Sequence, residues 1–275
     1  MVAMTELAGD ALAPAALHAA FELAFSDYLV GPFALALEQW PRFLARQGVD
    51  LGLSRALVRG GAIQAFALVA PRITRWRLAG MGAVPTARGS GAAPRLLDDF
   101  MTRARLAGMA AVELEVFAQN ERARKLYEGR GFESLHELHA WQAPAPDGEP
   151  RPVPDSVALI GREQAFAWIA REALPRLPDL PMQVTPAALA ASAAQLQAWQ
   201  AGSAVLVFAE TAPDLLTISS LIDWQAAQGD ALMLLRALRS AHPGHRIVVP
   251  ACSARTSGVR PCVTPDSSGS RCTSC

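Results

Sequence analysis

The chain has 275 residues, enough for about two domains. Apolar residues make up 51% and charged residues 18%, which excludes a mainly disordered chain. Lys+Arg and Asp+Glu are both 25, so the net charge is zero; neither this balance nor any long basic stripe points to a nucleic-acid partner.

The N-terminal segment carries Glu6 and Asp10 and no early Lys or Arg, so it lacks the positive start of a secretory signal. No run reaches about 18 uncharged apolar residues, the length of a membrane span. The expected compartment is the cytoplasm. Helices are predicted over 11–29 and 33–47, with Phe21, Phe25, Phe33, Leu37, Trp40 and Leu44 supplying apolar faces. Residues 53–59 and 62–70 read as strands, and Gly60-Gly61 between them signals a tight hairpin, whose turn needs positive φ. Residues 75–84 alternate as a third strand. A helix follows from Ala93, with Leu96, Leu97, Phe100, Met101 and Ala104 recurring at three- and four-residue steps. Pro94 is tolerated there because the first turn has no intrahelical partners for its N–H groups. Residues 111–117 form another strand, Asn120 is placed to cap a short helix through Tyr127, and 132–141 supplies a last strand or two.

The segment Ala143 to Pro154 holds five prolines in twelve residues and reads as a semi-rigid linker. Domains are therefore expected over 1–142 and 155–250. Beyond the linker, helices are predicted over 162–173, 186–200 and 229–241, and strands over 203–209 and 215–222 and from Ile247. The hairpin, helix, strand order echoes residues 53–117 and suggests a structural duplication. All four cysteines (Cys252, Cys262, Cys272, Cys275) fall in the tail 251–275, so no disulfide framework holds the main fold. The tail has no apolar periodicity and is expected to be disordered. Its cysteines lack the two close ligand pairs of a structural zinc site, so no metal is expected.

One segment carries chemistry. In Arg88-Gly89-Ser90-Gly91-Ala92-Ala93 a strand ends, glycines let the backbone turn, and a helix begins. Its unpaired N–H groups, the helix dipole and the Arg88 charge make a cradle for a pyrophosphate. An ordinary glycine-bearing strand-to-helix turn has the same short signature.

The spacing Arg88-x-x-Gly91-x-Ala93, preceded by Val84-Pro85, resembles the acetyl-CoA signature of the GNAT (Gcn5-related N-acetyltransferase) superfamily. About 25 residues on, Asn120-x-x-Ala123-x-x-Leu126-Tyr127 ending in Gly131-Phe132 resembles its second motif. Ala24-Phe25-Ser26-Asp27-Tyr28 looks like the opening segment of a bacterial branch of these enzymes. The resemblance covers roughly 15–141. It implies a mixed α/β sheet flanked by helices, in tandem with a degenerate second copy. It also implies transfer of an acetyl group from the cosubstrate acetyl-CoA to an amine acceptor. On this likeness the pyrophosphate sits on the N–H groups of Arg88 to Ala93. The pantetheine arm lies between strands splayed near Val84 and Val116, with its amides paired to the backbone at Ala83 and Val84. Tyr127 stands where the family's general acid protonates the departing thiolate. Asn120 touches the coenzyme arm or only caps its helix, and Tyr127 has a second reading as a core aromatic.

The general base is the least determined part. Glu113 and Glu115 share one face of their strand. If that face looks into the acceptor cleft, either serves as the base, directly or through water, with Glu115 the candidate taken forward; otherwise one or both reach solvent or pair with Arg. Asp27 and Tyr28 are candidates for lining the acceptor pocket, with a surface role open for Asp27. The second half has no Arg-x-x-Gly spacing, and Asp223 and Asp230 stand where phosphates would need positive potential, so it is not expected to bind coenzyme. A non-catalytic acyl-CoA-binding or interaction module is the alternative reading. An apolar, neutral surface is compatible with a homodimer.

Overall fold

The computed structural model describes residues 3–29, 31–177, 180–253 and 270–274. It contains two compact units, Met1–Glu137 with Pro261–Cys275, and Leu138–Arg260. Each is a mixed sheet flanked by helices.

In the first unit, β1 (Thr5–Ala8), β2 (Asp50–Arg59), β3 (Ala62–Pro71) and β4 (Arg75–Ala83) pair antiparallel in that order. The β2–β3 turn has Gly60 and Gly61 at φ +57° and +78°, the conformation that only glycine takes without strain. Helix α1 (Pro14–Ala24) and α2 (Trp40–Arg46) are both shorter than the apolar pattern suggests. Proline accounts for the later starts: Pro14 and Pro41 each fall in a first turn, because an interior proline lacks the N–H donor. Helix α3 (Ala92–Leu106) crosses to β5 (Ala111–Val116), which runs parallel to β4, and packs Leu96, Leu97, Phe100 and Ala104 into the core beneath β3, β4 and β5. Helix α4 (Glu121–Glu128) follows, then β6 (Phe132–Ala143), whose strand continues past Glu137 into the second unit.

The second unit repeats this order. Strand β7 (Ala158–Ile160), α5 (Arg162–Trp168), the short α6 (Leu174–Arg176) and α7 (Pro186–Ala190) lead to three antiparallel strands. These are β8 (Gln197–Ala201), β9 (Ala204–Ala212) and β10 (Leu215–Asp223). Helix α8 (Gly229–Ala241) then crosses to β11 (Arg246–Ser253), parallel to β10. The predicted helix 186–200 is thus corrected: it stops at Ala190, and Gln197–Ala201 is a strand. The Ala- and Gln-rich sequence favours helix locally, but pairing with β7 and β9 and burial of Trp199 override that preference. Likewise the helix over 162–173 is helical only to Trp168; a wider π turn spans Ile169–Ala173 ahead of Pro175.

The proline-rich stretch after Ala143 has no regular structure, but its backbone is tied within the second unit. Arg151 donates to the Ser240 carbonyl (2.9 Å), Gly244 donates to that of Pro146 (3.1 Å), and Val157 is buried. Of the tail expected to be disordered, residues 251–253 extend β11 and Ser270–Ser274 form β12, parallel to β5 and to the first half of β6. Backbone pairing needs no apolar pattern, so hydropathy gave no sign of it. Cys262 and Cys275 lie outside the described residues.

The start of α8 is closed by carboxylates of its own unit. Asp223, 8% exposed, accepts from Ser203 Oγ (2.7 Å), Gln225 N–H (2.9 Å) and Ala231 N–H (3.1 Å). Asp230 accepts from Ser203 N–H (2.8 Å) and Oγ (2.9 Å), contacts that hold its carboxyl below the usual value. Asp223→Ala is expected to destabilise this unit by about 3 kcal/mol, because buried donors lose a charged acceptor. Urea unfolding checks this, and a loss under about 1 kcal/mol would contradict it.

Candidate active site

Strands β4 and β5 pair only from Arg75–Leu78 to Ala111–Leu114. Immediately beyond, Ala79 is an extra residue in β4, a bulge between the Leu68–Gly80 and Val69–Leu78 pairs with β3. A bulge bends and twists its strand, and here it marks the point where β4 leaves β5. A cleft of about 610 Å³ opens at the splayed end.

One wall is the end of α1 and the residues after it. Gly82 of β4 sets how closely they approach: a Cβ there would stand 2.9 Å from Ala24 Cβ and from Phe66 Cζ. His18 Nε2–H donates to the Leu35 carbonyl (2.6 Å) and Glu22 accepts from Leu35 N–H (3.0 Å), which fastens the following segment to α1. Phe25, Asp27 and Tyr28 line the cleft, and Tyr28 makes edge contacts with Phe25 and Phe117. Gly82→Val is expected to cost about 2 kcal/mol through overpacking and to displace this wall, read as a lowered melting temperature. An unchanged melt would contradict the packing.

The floor is the turn into α3. Gly89 and Gly91 take φ +78° and +83°, and a Cβ on either would meet nothing within 4 Å, so glycine is needed for the turn and the space above it is open. No side chain caps α3 and no acidic residue lies in its first turn, which leaves its N–H groups facing an anion-sized opening. Ala83, Arg88, Gly89, Gly91, Ala92 and Ala93 all line the cleft. Ser90 does not; its hydroxyl donates to the Ala87 carbonyl (2.7 Å) and braces the turn. Val84 is also outside the lining. Its N–H goes to Gln64 (2.9 Å), so Met81, Gly82 and Ala83 are the part of β4 that faces the cleft.

Arg88 is held by Asp27 in a two-pronged pair, Nη1–Oδ2 at 2.6 Å and Nη2–Oδ1 at 2.7 Å, and also donates to the Ala24 carbonyl (3.1 Å). These bonds lower the Asp27 carboxyl and raise the Arg88 guanidinium relative to their ordinary values. Asp27, considered from sequence for the acceptor pocket, is thus committed to Arg88 at the turn into α3.

Helix α4 forms the second wall. Asn120 Oδ1 accepts from Ala123 N–H (3.1 Å), the cap expected from its position, while the residue also lines the cleft. Tyr127 is 7% exposed, packs beside Phe132 and lines the cleft. Glu115 is elsewhere. It pairs with the buried Arg77 at 2.8 Å, Glu113 pairs with Arg72 and Arg75 at 3.0 and 3.2 Å, and neither lines the cleft. Glu115 is thus engaged by Arg77 and lies outside the cleft lining, so the structure does not bring the base expected there to the site. The sequence analysis did not single out Met81, Gly82, Arg122 and Lys125, which also line the cleft; Arg122 and Lys125 stand three residues apart on α4 and share a face with Leu126. Among the described residues no group of three or more His, Cys, Asp or Glu could hold a metal, and no helix is long and apolar enough to cross a membrane.

The family model described as "Acetyltransferase (GNAT) family" matches residues 15–132. No curated protein matches the sequence. Among solved structures, the GCN5-related N-acetyltransferase of Kribbella flavida superposes with TM-score 0.62 at 16% identity, over 93% of this chain and 65% of that one. That of Sphaerobacter thermophilus gives 0.58 at 18%, over 94% and 89%. That of Anabaena variabilis ATCC 29413 gives 0.60 at 13%, over 97% and 69%. The chain therefore spans about two thirds of the Kribbella protein. At these identities the likeness is one of fold, and it extends across both units.

Proposed function

We propose, from the premise that the chain belongs to the GNAT superfamily through residues 15–132, that its cleft transfers an acetyl group from acetyl-CoA to an amine. The observation that carries this reading is one cleft that joins an uncapped α3 start, a splayed β4 edge and the buried Tyr127. Bound there, acetyl-CoA would supply the activated acyl group as a thioester. The N–H groups at Gly89 to Ala93 would hold the pyrophosphate, and the β4 edge at Met81–Ala83 would align the pantetheine amides, so that position and electrostatics supply most of the rate. The neutral amine attacks the carbonyl carbon, the N–C bond forms and the C–S bond breaks. Tyr127 gives its phenolic proton to the leaving sulfur and is reprotonated, through water, by the proton the amine gives up. With Glu115 committed to Arg77, water is the first acceptor of that proton. The second unit, whose α8 start is filled by Asp223 and Asp230, would carry no coenzyme and serve as a packing or partner domain. The reading places the protein in the cytoplasm.

The test is thiol release from acetyl-CoA by the intact chain across a panel of small amines and peptide N-termini. Amine-dependent release with matching acetylated product supports the reading. Tight coenzyme binding with no turnover on any acceptor supports a binding or sensing module instead.

A further inference from the structure

Once the α3 start and the β4 edge are given to the coenzyme, the wall left for an acceptor is the end of α1 and the turn after it. Two aromatic side chains, Phe25 and Tyr28, line the cleft there. They are held from behind, because Phe25 packs on Phe21 and Phe66 with ring centroids 4.6 and 6.2 Å away. Backbone bonds close the turn that carries them. The Phe25 carbonyl accepts from Tyr28 N–H (3.3 Å) and Phe33 N–H (3.1 Å), and the Tyr28 carbonyl accepts from Gly31 N–H (2.9 Å). Tyr28 also meets Phe117, just past β5, with 5.6 Å between ring centroids. Leu29, next along the turn, is 56% exposed, and no residue from 28 to 37 carries a charge.

The charges of the cleft point the same way. Its lining holds three cations, Arg88, Arg122 and Lys125, and one carboxylate, Asp27, which Arg88 engages through both oxygens. An acceptor with several ammonium groups would meet like charge there, and the one lining carboxylate among the described residues is already spent.

We propose that the acceptor is a primary amine with a single charge on an aromatic or aliphatic body, that Tyr28 selects it, and that polyamines and other polycations are rejected. The inference rests on the acetyl-transfer reading of the cleft. A site with an apolar wall and few polar groups buries the body of such an amine. The same wall disfavours the charged ammonium, so it favours the neutral nitrogen that attacks.

The experiment measures thiol release from acetyl-CoA, and the mass of the product, with the full chain and four probes: 2-phenylethylamine, ethylamine, spermidine and an unblocked alanine tripeptide. The kcat/KM for 2-phenylethylamine is expected to exceed that for each of the others at least about tenfold, through a ring packed on an aromatic wall and, for spermidine, through repulsion. Tyr28→Ala should bring 2-phenylethylamine and ethylamine within about threefold of each other, whereas Tyr28→Phe, which keeps the ring, should keep the preference. Matching melting curves and acetyl-CoA titrations confirm that both variants fold and bind coenzyme. Spermidine, ethylamine or the tripeptide turned over as well as 2-phenylethylamine, or a preference that survives Tyr28→Ala, would overturn the inference, while amine-dependent turnover leaves the transfer reading intact. Turnover of none of the probes by a folded chain that binds acetyl-CoA would overturn that reading and the inference together.

Discussion

Tyr127→Phe is expected to lower kcat for acetyl transfer about a hundredfold or more while leaving the Kd for acetyl-CoA within about twofold. The substitution removes one oxygen. The ring keeps its place beside Phe132 in the core of the first unit, so the wall of the cleft is preserved. What is lost is the proton for the departing thiolate, an interaction made in the transition state and not in the ground state. An unchanged kcat would remove Tyr127 from the mechanism and leave it as a core aromatic.

Gly91→Asp is expected to weaken acetyl-CoA binding at least about a hundredfold. Two effects add. A side chain at φ +83° costs about 1–2 kcal/mol, and a carboxylate at the start of α3 repels the phosphates and competes for the same N–H groups. The protein itself offers the precedent, because Asp223 takes the Ala231 N–H at the start of α8 in the second unit. Gly91→Ala separates the two effects, with the strain but without the charge. Its loss should be clearly smaller, since a Cβ at this position meets no protein atom within 4 Å. Equal losses in the two variants would place the phosphates elsewhere.

The central elements of both sheets are legible in the sequence, because each carries a strong local period. Val112, Leu114 and Val116 alternate in β5, and the apolar stripe of α3 meets the sheet where its spacing predicts. Turn chemistry is legible for the same reason: Gly60-Gly61 and Asn120 act through their own backbone or a neighbour's. Features set by distant partners are not. Short β1 and β7 show no period, and β8 is a strand through its neighbours and not its composition. In the site, the glycine turn and Tyr127 were readable from motif spacing. The Arg88–Asp27 pair joins residues 61 positions apart, and the Glu115–Arg77 pair depends on which strands adjoin, so both redirect the roles that sequence alone assigned to Asp27 and Glu115. The bulge at Ala79, which accompanies the splay, leaves no local mark at all.

Calorimetric titration of the intact chain with acetyl-CoA tests the central claim most directly. The account predicts saturable binding in the micromolar range with one site per chain, in the first unit. No binding by the folded protein would contradict the cradle at Gly89–Ala93, and two sites per chain would contradict the carboxylate-filled start of α8.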